Sequence, residues 1–201
     1  LGHTPEISEI EQQYSAQWLD FMTTRLAESC SLLQAMAHKI GKEFTFYSGY
    51  QSDKTIHYYT VDWRKLGGRI DFGCAGYWAP AATIAATVEA LNGTPLWYGV
   101  ITEPWHEYLR QKSMQIPLSE LFVGLVAGGK GFLCYNLPGV DGRSFYSFSQ
   151  FCAFLSDHEA VLYHGQRSQD GVKLTGIPND AWTVFSLPDQ PEKILAAYKN
   201  S

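Results

Sequence analysis

"PLWYGVITEPW", residues 95–105, is the stretch on which the reading of the fold turns. Pro95 opens a run of apolar and aromatic residues that stops on a carboxylate, Glu103, followed at once by Pro104 and Trp105. A short apolar run without polar alternation predicts a parallel strand buried on both faces. A strand that ends on a glutamate among aromatics places a polar group at its C-terminal end, where α/β folds keep their chemistry.

Similar runs recur on both sides of this one. "EFTFYSGY" (43–50), "RIDFGCAGYW" (69–78) and "GFLCYNL" (131–137) read as strands. Between them lie helical patterns. "YYTVDWRKLGG" predicts a short helix closed by Gly67 and Gly68. "PAATIAATVEALNG" starts with Pro80 and ends at Asn92-Gly93, and "PLSELFVGLVAGG" covers 117–129. "SFYSFSQFCAFLSDHEAVLYHG" predicts a last long helix ending at Gly165. Ahead of all these, residues 6–40 carry Ile10, Tyr14, Trp18, Phe21, Leu26, Leu33 and Met36 at helical spacing, with Gly41 as the stop. The order is a leading helix and then four strand–helix units, an α/β arrangement of parallel βα repeats. Residues 1–165 therefore read as one unit. Residues 166–201 read as a C-terminal extension in which "AWTVFSL" is a strand and "EKILAAYKN" a short helix or strand. It packs beside the last βα unit or begins a further, β-rich module.

Two architectures suit such repeats: an open doubly wound sheet, or half of a TIM-type (β/α)8 barrel. A dinucleotide-binding sheet needs GxGxxG directly after a strand, and none is present. "GLVAGGKG" precedes a strand, so it cannot set phosphate on a helix N-terminus. The half barrel gains by that absence.

Composition narrows the function classes. The net charge is −5 with scattered Lys and Arg, which argues against nucleic acid as a partner. Cys30, Cys74, Cys134 and Cys152 form no CxxC pair, and the histidines form no HExxH. Neither a metal site nor a cofactor is expected. No apolar run is long enough to span a bilayer, so membrane partnership is not expected either, and the balance suits a soluble protein, cytoplasmic or secreted.

The strand ends supply candidate site residues. They are Tyr47, Ser48, Tyr50 and Gln51 after the first strand, Tyr77 and Trp78 after the second, and Glu103, Trp105 and His106 after the third. Asn136 and, a little later, Asp141 follow the fourth. Aromatic rings stack on the apolar faces of sugars, while Tyr, Asn, Gln and His hydrogen-bond to hydroxyls. A carboxylate among them suits glycosidic cleavage as nucleophile or general acid. Plainer roles stand beside these. Glu103 would serve equally as a cap or as the partner of Arg110 or Lys112. Trp78 and Trp105 would cover a rim, Tyr47 and Tyr50 would be core residues, and His106 would be a surface residue. Asp53, His57 and Asp62 read as solvated.

The run "EFTFYSGY … RIDFGCAGYW … PLWYGVITEPW … GKGFLCYNLPGVDG … FLSDHEAVLYHG" resembles the second half, strands five to eight, of a retaining glycoside hydrolase barrel. It is most similar to the clan whose catalytic glutamates follow strands four and seven, and within it to the β-galactosidase-like members. The resemblance covers about residues 10–165 and rests on element order and strand-end chemistry. It implies that Glu103 is the nucleophile and that Tyr47, Tyr77 and Asn136 orient it or the sugar hydroxyls. Trp78 and Trp105 would form a sugar platform, with Tyr50 and His106 also at the substrate. It implies as well that the acid/base glutamate and strands one to four lie outside these residues, Glu6 and Glu9 following no strand. A missing N-terminal half barrel or a second copy of the chain would then be the partner, the substrate a carbohydrate, and the isolated chain inactive. The alternative is a non-catalytic carbohydrate-binding or assembly module on the same half barrel.

Overall fold

The structure is a computed structural model and describes residues 4, 6–77, 79–101, 116–135, 142–191 and 193–198. The leading helical pattern forms two helices, α1 (Ile7–Gln13) and α2 (Ser15–Lys39). They part at Tyr14, where the backbone leaves helical geometry without a Gly or Pro to cause it. The stop at Gly41 is as the sequence predicts. Its φ is +68°, its N–H donates to His38 O, and the N–H of Lys42 donates to Ala37 O. Those two bonds close the helix as a Schellman turn, which needs the left-handed conformation that glycine adopts without strain.

The first strand is β1 (Thr45–Ser48), shorter than its aromatic run. Two helices follow where the sequence predicts one: α3 (Asp53–Tyr59) and α4 (Trp63–Leu66). They are divided by Thr60 in the left-handed region. The chain continues through β2 (Phe72–Tyr77), α5 (Ala81–Ala90), β3 (Leu96–Ile101), α6 (Ile116–Val126) and β4 (Gly131–Tyr135). The last long helix is again two, α7 (Gly142–Asp157) and α8 (Glu159–His164).

β1 to β4 form one sheet, wholly parallel, in the order of the chain. Strand order never reverses among these four, so they contain no doubly wound switch point. The sheet is open: among the described residues β1 and β4 each have a single strand partner. The helices pack in succession, α2 on α3 and α4, α4 on α5, α5 on α6 and α6 on α7. The same layer meets the sheet through α5 and α6 on β3 and through α6 on β4.

One face of the sheet meets this layer. Leu96, Tyr98 and Val100 alternate along β3 and are buried there. Gly73 is level with Leu96, and a side chain at Gly73 would stand 2.8 Å from the Trp63 ring and 3.2 Å from Leu91. The glycine thus makes room for Trp63, which is wholly buried, meets Phe46 edge-on and donates its indole N–H to Gly49 O at 2.7 Å. The other face is less covered. Tyr47, Cys74, Trp97 and Gly131 are level across all four strands. Tyr47 is 51% exposed and Trp97 37%. Trp97 stacks on Phe72 with centroids 4.5 Å apart and lies against Gly131. Burial on both faces, expected from the apolar runs, is thus met on the helix side and only in part on the other.

The extension, residues 166–201, forms a three-stranded antiparallel sheet among its described residues: β5 (Gln166–Ser168), β6 (Trp182–Ser186) and β7 (Lys193–Ala197). Within "EKILAAYKN" the residues Lys193–Ala197 are therefore a strand. β6 is buried along nearly its whole length because the sheet packs on α6 and α8. No described helix is long and apolar enough to cross a membrane.

Candidate functional site

The C-terminal ends of β1 to β4 lie at one edge of the sheet because all four strands run the same way. Position 77 ends β2, which bulges at Gly76 and brings residue 77 level with Gly99. The Tyr77 side chain, and the whole of Trp78, Glu103, Trp105, His106 and Asn136, lie outside the described residues. Asp141 lies outside them too.

Of the sequence-derived candidates with a described side chain, Tyr47 alone presents a ring to solvent, on the sheet face away from the helices. Tyr50 departs from the expectation. Only 8% of it is exposed, and it belongs to the core beside Tyr98. Its backbone carbonyl accepts from Thr55 Oγ1 at 2.6 Å, which turns the chain inward just after Gly49. The ring therefore packs in the core instead of offering a face to a sugar.

Behind the end of β1 stands a polar cluster that sequence reasoning did not assemble. Gln51 N–H donates to Thr87 Oγ1 at 2.9 Å, and Gln51 Oε1 accepts from Trp63 N–H at 2.9 Å. Asp62 receives Arg64 Nε and Nη2, both at 2.8 Å, together with the backbone N–H of Arg64 and, at 3.3 Å, Gln51 Nε2. Asp62 is buried, contrary to the solvated reading. Burial pushes its carboxyl upward, but the Arg64 bonds and charge and the Gln51 bond outweigh this and hold it below the usual range. The cluster fixes the β1 end against α4 and α5. The sequence signal was an Asp at a helix N-cap with an Arg two residues on.

At the opposite, N-terminal end of the strands is a cleft of about 430 Å3 whose lining includes Glu43, Asp71, Phe72, Trp97, Lys130 and Tyr163. Two of its polar groups are committed to structure. Asp71 accepts from Phe44 N–H at 2.6 Å and from Gln34 Nε2 at 3.0 Å, and His38 Nε2 lies 2.9 Å from both its oxygens. Lys130 Nζ donates to the carbonyls of Leu162 and Tyr163 at 2.8 and 2.7 Å, capping the end of α8. Among the described residues no three His, Cys, Asp or Glu side chains converge as a metal site requires.

Compared with protein-family models, with curated proteins and with solved structures, the chain matches none.

Proposed function

We propose that this chain forms half of a retaining glycoside hydrolase barrel, with a β-galactoside-like substrate and Glu103 as nucleophile. The observation that carries the reading is the sheet: four parallel strands in chain order, a continuous helix layer on one side, and an aromatic, partly bare face on the other. Four further strand–helix units of the same kind would close a (β/α)8 barrel whose interior is the bare face. In the sequence Glu103 comes two positions after Ile101, the last residue of β3, at the C-terminal end of a parallel strand, where barrels of this kind keep their chemistry. The edges of β1 and β4, which have no second strand partner among the described residues, support a partner made of parallel βα units, either a separate half barrel or a second copy. So does the exposed stripe of Trp18, Phe21, Leu32, Leu33 and Met36 along α2, continued by Ile40 at its C-cap.

In this reading Glu103 attacks the anomeric carbon, a glutamate of the other half protonates the leaving oxygen, and water later releases the sugar. Tyr47, Tyr77 and Asn136 hold hydroxyls, and Trp78, Trp105 and His106 border the sugar. Tyr50 acts only through packing. The exposed rings of Tyr47 and Trp97 also support a second reading, a module that binds carbohydrate without cleaving it. Glu103→Gln in the assembled barrel separates the two. The nucleophile reading expects turnover of aryl β-galactosides to fall by about 10³-fold or more with galactoside affinity nearly unchanged. Unchanged turnover rules out that role, and binding with no turnover in either form selects the binding module.

A further inference from the structure

The helix α2 has two unlike faces. Thr23, Ala27 and Cys30 are buried on the side that packs on α3 and α4. The charges beside that face are held: Lys65 Nζ lies 2.6 Å from Asp20 Oδ1, and His38 Nε2 lies 2.9 Å from Asp71. At 100° per residue, Trp18 and Met36 point directly away from Ala27. Trp18, Phe21, Leu32, Leu33 and Met36 are 46–64% exposed, and Ile40 at the C-cap is 75% exposed. At those fractions the six residues leave on the order of 700 Å2 accessible. An ordinary monomer shows a patch of about 300–600 Å2, and each partner gives roughly 800 Å2 to a stable interface.

The order along this stripe is that of a surface complementary to itself. Its N-terminal half is aromatic and its C-terminal half aliphatic. Between them Arg25 Nη1 donates to Glu28 Oε2 at 2.7 Å, with both side chains largely exposed. Trp18 stacks on Phe21 with centroids 5.8 Å apart, and the Arg25 guanidinium lies over the Phe21 ring at 5.3 Å. The aromatic half and the ion pair are therefore already ordered in the single chain, which lowers the entropy lost on docking. A two-fold axis level with the middle of the Arg25–Glu28 pair, and perpendicular to α2, reverses the stripe end for end. It sets Phe21 against Leu32 of a second copy and Trp18 near that copy's Met36, a contact of ring and thioether. It also sets Arg25 beside Glu28 of the second copy, so that the four charges at the centre alternate in sign.

We propose that two copies of this chain pair through α2, antiparallel about that axis. Apolar area alone would suit many partners. The reversal of aromatic and aliphatic halves around a central ion pair selects a second copy. Neighbouring helices of a barrel run parallel, so this contact does not close one. A half barrel laid on the same stripe is the competing outcome, and failure of the antiparallel dimer leaves the glycosidase reading standing.

Sedimentation equilibrium of the full chain tests it. An interface of this size suits a dissociation constant of about 1–10 µM, so at about 100 µM the wild-type chain has twice the 22.6 kDa mass of one copy. Leu33→Glu puts a carboxylate into the apolar half twice per dimer and weakens pairing about 100-fold or more. Leu33 is 47% exposed, and native circular dichroism is the control for folding. Arg25→Glu and Glu28→Arg each leave one sign of charge at the centre and weaken pairing by about tenfold. Both also break the ion pair within the chain. Recovery in an equimolar mixture of these two variants therefore reports contact between copies, and the mixture pairs about as tightly as wild type. A wild-type chain that stays monomeric at about 100 µM overturns the proposal. So does a folded Leu33→Glu chain that pairs at full strength, which would move the contact to another surface. A mixture no tighter than either charge variant alone overturns the antiparallel register.

Discussion

Gly124→Ala is the sharpest test of how β3, the strand that leads to Glu103, is held. Gly124 lies in α6 beside the ring of Tyr98. A methyl there would stand 2.1 Å from Tyr98 Cε2 and 2.2 Å from Cδ2. The ring cannot retreat, because a side chain at Gly129 would already meet Tyr98 Cδ1 at 2.3 Å, and the hydroxyl donates to Leu121 O. Tyr98 is thus slotted between two glycines. Overpacking of this kind costs about 1–3 kcal/mol, and a ring pinned on both sides belongs at the upper end. Alanine in a helix interior returns about 1 kcal/mol relative to glycine. The net loss is therefore about 2 kcal/mol, or a Tm lower by about 4–8 °C for a chain of this size. Urea and thermal melts read it. In a Tyr98→Val background the ring is gone, and Gly124→Ala becomes neutral or stabilising, a coupling of about 2–3 kcal/mol. A wild-type chain left unharmed by Gly124→Ala, or equal effects in both backgrounds, would refute this packing of α6 on β3.

Acid titration reads the Asp71 lock between α2 and the sheet. Partial burial pushes the Asp71 carboxyl up, but bonds from Phe44 N–H, His38 and Gln34 hold it below the usual range. A depressed folded pKa gives stability that is present above the unfolded value of about 3.9 and is lost as pH falls through the folded one. Asp71→Asn therefore lowers Tm at neutral pH, and the gap from wild type narrows below about pH 4; a gap independent of pH contradicts the lock. Iodoacetamide at pH 8 labels Cys152, which is exposed, and spares Cys30, Cys74 and Cys134. Burial and then the neighbouring Cys152 push the Cys134 thiol up to about 11, so equal labelling of Cys134 would contradict the packing of β4. In galactoside titrations of the assembled barrel, Tyr47→Ala weakens binding by up to about tenfold while Tyr50→Phe leaves it unchanged, and the reverse order would exchange their roles.

The strands were legible because each is a short apolar run bounded by Gly or Pro, and the sheet's parallel sense follows from helix-length segments between them. The divisions at Tyr14, Thr60 and His158 were not, since no Gly or Pro marks them; Thr60 takes up the left-handed conformation where glycine would ordinarily be expected. β5 escaped notice because Gln166-Arg167-Ser168 carries no apolar signal and is set by pairing with β6. Tyr47 and Tyr50 look alike in "YSGY", yet the turn at Gly49 sends one to solvent and the other to the core. Asp62 read as solvated because its partner, Arg64, satisfies it only through the geometry of the α4 N-terminus.

The central claim is that Glu103 forms a bond to sugar, and covalent trapping tests it most directly. A 2,4-dinitrophenyl 2-deoxy-2-fluoro-β-galactoside has a leaving group that departs without a proton, so the acid/base of the other half is not needed for the first step. After incubation with the assembled barrel, peptide mass spectrometry should find one fluorogalactosyl unit per chain, on Glu103 in the segment "YGVITEPW". A labelled chain whose adduct lies on any other carboxylate, or a chain that binds the galactoside and acquires no adduct, would contradict it.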